Sequence, residues 1–153
     1  MIGYFLFAAV WILLDQGVKL WVRSAIPLHT SMPFLPGFDL TYVRNTGAAF
    51  SILSSQTWIL TVLSGVVSVI LAVALARRIL PGRLGMFSLA LLLGGAVGNF
   101  IDRLMKGWVT DMFQTTFMNF PVFNVADIGV VIGGVFLCLA VLLAKESDGK
   151  ETA

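Results

Sequence analysis

Charge is what this chain has least of. Asp, Glu, Lys and Arg make up 12% of its 153 residues, against roughly 25% in ordinary globular domains. Hydrophobic residues fill 58%, more than one small domain can enclose, because small folds bury a limited fraction of their area. A water-soluble fold is excluded, and lipid must cover the remaining apolar surface. Cysteine is almost absent too. Cys138 is the single one, so neither an intramolecular disulfide nor a thiolate metal cluster can form, and within its apolar run it reads as a small hydrophobe. The one histidine, His29, lies in a proline-rich segment without metal partners, and reads as a surface residue. The net charge is only +2, and the basic residues are scattered near the ends of apolar runs. They read as topology determinants rather than a nucleic-acid patch. No glycine-rich phosphate loop, redox motif, internal repeat or low-complexity segment is present, so no metal, cofactor or nucleic-acid partner is expected.

Four runs are long enough to cross a bilayer as helices, which takes about 20 residues each. They cover approximately 2–22, 58–76, 84–101 and 125–144. The first lacks the basic leader and small-residue cleavage site of a signal peptide and carries Asp15 and Lys19, so it reads as a retained helix. The expected fold is an all-α membrane protein, one domain over 1–153, with four transmembrane helices and a small β-rich extracytoplasmic loop region. Arg77, Arg78 and Arg83 crowd the short loop between the second and third runs, and Lys145 and Lys150 lie in the tail. The positive-inside bias then puts that loop and both termini in the cytoplasm, and loops 23–57 and 102–124 outside. In the first outer loop Pro27, Pro33, Pro36 and Gly37 rule out continuous helix. Phe38 to Val43 alternates apolar and polar residues, the pattern of a short strand. The tail from Lys145 reads as a solvated end.

The sparse polar residues are unevenly placed. Asp102, Asp111 and Asp127, with Asn45, Asn99, Asn124 and Arg103, fall on or near the outer face, and ionisable groups at such depths are functional candidates because they cost so much to keep there. Asp15 and Lys19 stand four apart on one helix face and can satisfy each other as an interior ion pair, a mainly structural role. Asn99, Asp102 and Arg103 share a face of the last turn of the third helix, which the small residues Gly94, Gly95 and Gly98 allow to pack closely. Asp127 alone is explained as a helix N-terminal cap. Two carboxylates sharing one site hold a single proton between them, and such a pair can activate water with one member while the other donates to a carbonyl. Three outer aspartates compete for those two places. Asp102 is followed by Arg103, whose charge favours a plain carboxylate, while Asp111 has apolar neighbours and no adjacent cation. That contrast favours Asp111 with Asp127. A Ser–Lys dyad would need Lys19 or Lys106 with Ser24 or Ser51, and nothing marks such a pair. A proton-coupled transporter would carry its key carboxylate near the midplane, whereas these acids cluster at one face.

Five ordered motifs go further: Asp15-Gln-x-x-Lys19, Asn45-Thr-Gly-Ala-Ala-Phe-Ser51, Gly98-Asn99-Phe-Ile-Asp102-Arg103, Val109-Thr-Asp111 and Phe123-Asn124-Val-Ala-Asp127. In this order, over about residues 10–135, they resemble lipoprotein signal peptidases (signal peptidase II). The resemblance implies a membrane aspartyl endopeptidase of the cytoplasmic membrane. Such an enzyme removes signal peptides from diacylglyceryl-modified prolipoproteins by cleaving before the lipidated cysteine, works at the outer face, and is blocked by globomycin. It also implies Asp111 and Asp127 as the catalytic pair. Asn45, Gly47, Asn99, Arg103 and Asn124 match positions that hold substrate or support the dyad, and Asp102, Asp15 and Lys19 match supporting ones. Ile128 stands where many relatives have serine, Met112 where phenylalanine is frequent, and the segment between the last two motifs is short, a difference that bears on the substrate groove. Phe113, Phe117 and Phe120, with Trp58 and Trp108, are expected as interfacial aromatics.

Overall fold

The computed structural model describes residues 1–47 and 56–151, with side chains as far as 144. Its elements run α1 (Ile2–Ala25), β1 (Ser31–Leu35), β2 (Phe38–Asn45), α2 (Thr57–Ala76), α3 (Gly82–Lys106), β3 (Val109–Thr115) and α4 (Val125–Glu151). All four helices are long and apolar enough to cross a membrane, and the chain is a multi-pass membrane protein. Their mean hydropathy arises from outward-facing residues such as Leu13, Val69 and Leu142, which stay exposed on the bundle surface. Soluble proteins do not expose apolar area on this scale, and here it faces acyl chains. Alternation of direction puts the start of α1, the end of α4 and the Arg77–Arg83 turn at one end of the bundle, and all three strands at the other.

α3 is the central helix. Of its most apolar window 56% is buried, against 22%, 17% and 28% for α1, α2 and α4, and it packs on all three neighbours. Small residues make this possible. A Cβ at Gly95 would overlap the carbonyl oxygen of Ala126 on α4, and one at Gly98 would lie 2.7 Å from Oδ2 of Asp15 on α1. Neither neighbour is a loose side-chain end, so overpacking has no cheap relief. Gly95→Ala is expected to cost about 1–3 kcal/mol, read as a lower melting temperature in detergent.

The helical boundaries differ from the apolar runs at the ends that matter. The third run ends at Ile101, yet α3 continues to Lys106, closed by Gly107 in a left-handed cap. Asp102 and Arg103 therefore stand on the helix with Asn99, as their expected shared face requires, and the outer loop begins beyond the expected bound at 102. The extension persists because Asp102 and Lys106 pair one turn apart, which makes a polar turn tolerable at the membrane edge. α1 likewise runs to Ala25, and α4 continues as helix into the tail as far as Glu151.

The end of the bundle opposite the Arg77–Arg83 turn carries one antiparallel sheet of order β1-β2-β3. β2 is the strand that alternation predicts over Phe38–Val43, lengthened to Asn45. β1 and β3 are additions. β1 accepts Pro33 because it is an edge strand, where a missing N–H breaks no ladder. It joins β2 through Pro36-Gly37, with Gly37 at φ +87° as the second central residue of such a turn requires. β3 escapes the alternation test because Val109 to Met112 are all buried, so no polar face marks it. Val22, Ile26, Leu40, Tyr42 and Met112 form a small core that seats the sheet on the end of α1. Phe117, Phe120 and Trp58 are exposed, as interfacial aromatics are. Phe113 instead packs between Phe34 and Phe123, and Trp108 lies beside Tyr42.

Candidate active site

Four elements, β2, β3, α3 and α4, meet at the site, and each brings a carboxylate or an amide that holds one. β3 contributes Asp111, which is only 2% exposed. Antiparallel pairing sets Asp111 opposite Val43 and Asn45 opposite Val109, so the end of β2 brings the Asn45 side chain to it. Asn45 Nδ2 donates to Asp111 Oδ2 at 2.9 Å, and Asn124 Nδ2 donates to Asp111 Oδ1 at 2.6 Å. Both oxygens of Asp111 are thus held by neutral amides.

Asp127 is placed by the start of α4. Asn124 and Asp127 form a reciprocal cap: the Asp127 N–H donates to Asn124 Oδ1 at 2.9 Å, and the Asn124 N–H donates to Asp127 Oδ2 at 3.2 Å. Such boxes satisfy two helix N-terminal donors at once. The capping explanation for Asp127 therefore holds, and it does not exhaust the residue. Its Oδ1 accepts from Asn99 Nδ2 of α3 at 2.8 Å. One side chain, Asn124, consequently touches Asp111 and caps the helix that carries Asp127. Both aspartates line a single cavity of about 870 Å³, together with Asn45, Gly47, Asn99, Arg103 and Asn124. Arg103 Nη2 donates to the carbonyl of Gly47 at 3.3 Å, and the Gly47 N–H donates to Asn45 Oδ1 at 3.0 Å. The remaining walls are largely apolar, with Phe123, Ile128, Val130, Val131 and Ile132.

Burial is the main reason the Asp111 carboxyl is pushed up to about 7, and the Asp127 charge adds to it. The Asn45 and Asn124 donors and the more distant Lys19 charge pull the other way without cancelling it. Desolvation plus a like charge is the combination that leaves one carboxylate of a pair protonated near neutral pH.

Asp102 belongs to a different cluster. It is fully buried, lies 2.5 Å from Lys106 Nζ and 3.6 Å from Lys19 Nζ, and accepts the N–H of Thr110 at 2.9 Å. It is absent from the cavity wall. The contest among three aspartates resolves by geometry into a pair that lines the cavity and one that ties α3 to β3. The cations that neutralise Asp102 are Lys19 and Lys106, not the adjacent Arg103, whose side chain turns to the cavity. Asp15 and Lys19 make the expected pair at 2.8 Å, both with 0% side-chain exposure. Asp15 also accepts the N–H of Ala126 at 2.9 Å, which fastens α1 to the first turn of α4.

Sequence reasoning missed several contributors. Thr110 holds both the Asp102 contact and the Arg23 guanidinium, 3.0 Å from its hydroxyl. Arg44 lies over the Trp108 ring at 4.6 Å while Lys106 approaches it at 5.5 Å. No local pattern announces these, since each depends on which strands pair. His29 is exposed in the turn before β1. Among the described residues no three His, Cys, Asp or Glu side chains converge as a metal site would need. Ala48 to Ser51 of the Asn45 motif lie outside the described residues.

Comparison with known proteins gives one consistent answer. The family model described as signal peptidase (SPase) II matches residues 7–143. A lipoprotein signal peptidase of Enterococcus faecalis (strain ATCC 700802 / V583) is 39% identical over 98% of this chain and 95% of its own length. One from Brevibacillus brevis (strain 47 / JCM 6285 / NBRC 100599) is 42% identical over 97% of each chain. Among solved structures, a bacterial membrane enzyme determined by the in meso method superimposes with a TM-score of 0.88 at 28% identity, covering 96% of this chain and 92% of the other.

Proposed function

The chain belongs to the signal peptidase II family, and we propose that it is an aspartic endopeptidase removing signal peptides from diacylglyceryl-modified prolipoproteins, before the lipidated cysteine. The observation that carries this reading is the pair Asp111 and Asp127, presented by a strand and a helix start to one cavity and linked through Asn124. One carboxylate accepts a proton from water while the other, neutral, donates to the scissile carbonyl oxygen. The hydroxyl adds to the carbonyl carbon. Collapse of the tetrahedral species breaks the C–N bond, and the proton ends on the amine of the new N-terminal cysteine. The raised Asp111 supports a dyad that holds one proton in the working range, a property of the pair rather than of one member.

Asn45, Gly47, Asn99, Arg103 and Asn124 hold the substrate backbone and the dyad. Arg103 supplies fixed positive charge beside Asp127 and Asp111. Asp15, Lys19 and Asp102 keep the helices in register behind them. A lipid-modified peptide reaches such a site by sideways diffusion, so its acyl chains rest along apolar residues such as Val131 and Ile132 while the peptide bond meets the aspartates. The arginine-rich turn and both termini face the cytoplasm, and the cavity opens at the outer face of the cytoplasmic membrane.

The test is purified protein in detergent with a diacylglyceryl-modified prolipoprotein, followed by gel shift with and without globomycin. Expected is cleavage that requires the lipid and stops with globomycin. A well-folded sample that leaves the substrate intact, or cleaves it equally without the lipid, would sink the assignment.

A further inference from the structure

The ammonium of Lys19 has no route to solvent and no direct contact with either cavity aspartate. It sits on α1 with 0% side-chain exposure. Beyond Asp15 at 2.8 Å, it donates to Asn99 Oδ1 at 3.0 Å. An ammonium can only donate, so this bond fixes which end of the Asn99 amide faces α1. The NH2 end must then face the other way, and there it donates to Asp127 Oδ1 at 2.8 Å. A second lock agrees. Asn124 accepts the Asp127 N–H with its oxygen, so its own NH2 is left to donate to Asn99 Oδ1 at 3.1 Å and Asp111 Oδ1 at 2.6 Å. Every amide near the two carboxylates is thereby oriented as a donor towards them.

Resting on the peptidase reading above, we propose that Lys19 is a positioning residue for the reaction: through Asn99 it fixes and polarises the amide donor that holds the Asp127 side chain in place. Hydrogen bonds in a chain headed by a charged donor strengthen one another in a low-dielectric interior. The surrounding charges do not duplicate this. From α3, Asp102 pairs with Lys106 at 2.5 Å and lies 3.6 Å from Lys19, while Arg103, whose charge acts on Asp127 and Asp111, binds the Gly47 carbonyl and leaves the Asn99 amide to Lys19. From β2, Arg44 lies on Trp108. From β3, Asp111 adds only negative charge, and from α1, Asp15 is the partner of Lys19 itself. The relay is thus the one ammonium-to-amide-to-carboxylate path among the described residues.

Lys19→Met alone leaves Asp15 unpaired, so the informative variant is Asp15→Asn with Lys19→Met, which removes one charge of each sign and keeps an oxygen for the Ala126 N–H. Its kcat for a lipidated prolipoprotein, per folded enzyme, should fall about tenfold, with KM within about twofold, because the residue touches no substrate. A role confined to holding helices together would lower the amount of active protein and leave kcat per active enzyme unchanged. Asn99→Ala removes both the acceptor of Lys19 and the donor to Asp127, and should lower kcat at least as far. Adding it to the double variant should lower kcat no further than Asn99→Ala alone. An unchanged kcat in a folded double variant, or losses that simply multiply, overturns the inference even if Asp111 and Asp127 prove essential. Failure of the wild-type protein to cleave at all removes the peptidase reading instead, and the inference with it.

Discussion

Asp111→Asn and Asp127→Asn are each expected to reduce cleavage of a lipidated prolipoprotein at least about 10³-fold, while the protein still folds. The size of the effect follows from the division of roles. An amide cannot take a proton from water, nor can it give one to a carbonyl, so either substitution removes one half of the acid–base pair. Folding survives because the replacement is isosteric and most donors keep an acceptor. In Asp127→Asn the new amide oxygen can still receive the Asn99 donor, and in Asp111→Asn it can still receive one of the two amides that hold the native carboxylate. The lost bond costs about 1–3 kcal/mol, offset in part by relief of like charge. Rates and melting temperature measured on the same detergent preparation check both halves. Wild-type turnover by Asp111→Asn would reopen the place for Asp102.

The same pair is expected to set the pH dependence. The folded chain holds the Asp111 proton up to about 7, whereas its ordinary value is 3.8. Activity that needs one neutral and one charged carboxylate should therefore decline above about 7 with the loss of one proton. Stability moves with it. Because the folded form binds more protons than the unfolded chain between those values, stability falls as pH rises through that window and levels off above it. Melting temperatures taken from about pH 5 to 8 should drop for the wild-type protein and vary less for Asp111→Asn, which has no carboxyl there to titrate. A variant that follows the wild-type slope would assign the effect to another group.

The helices and the acids were legible because each leaves a local mark. Long apolar runs need no partner to be recognised, and a charge within them stands out against the background. The i, i+4 spacing of Asp15 and Lys19 predicts the pair at 2.8 Å for the same reason. What stayed hidden depends on distant segments. β3 was illegible because α1 and β2 cover the residues that would have shown its alternation. The end of α3 was misplaced because apolar content measures hydrocarbon depth, while the backbone continues as far as its polar side chains find partners. The choice of Asp111 over Asp102 shows the limit in one residue. Sequence offered Arg103 as the neighbour that tames Asp102, and the chain instead uses Lys106 and Lys19, one turn and one helix away.

That ion cluster carries the second large effect. Asp15, Lys19, Asp102 and Lys106 make two acids and two bases, three of them with 0% side-chain exposure. Taking such charges out of water is costly, and the group persists because its members compensate one another. Lys19→Met leaves Asp15 without a cation and deprives Asp102 of its second one. The expected loss is about 3–5 kcal/mol, the penalty of an uncompensated buried charge, and in detergent the variant should melt well below the wild-type protein. Adding Asp15→Asn should recover most of that loss, since the mutual attraction of a buried pair does little more than offset its desolvation. Methionine fills a similar volume, so packing changes little. Recovery in the double variant separates a charge effect from a packing effect. If the two single changes simply add, the cluster is not acting as a compensated unit, and the close approach of α1 to α3 and α4 must be credited to the small residues on α3 alone.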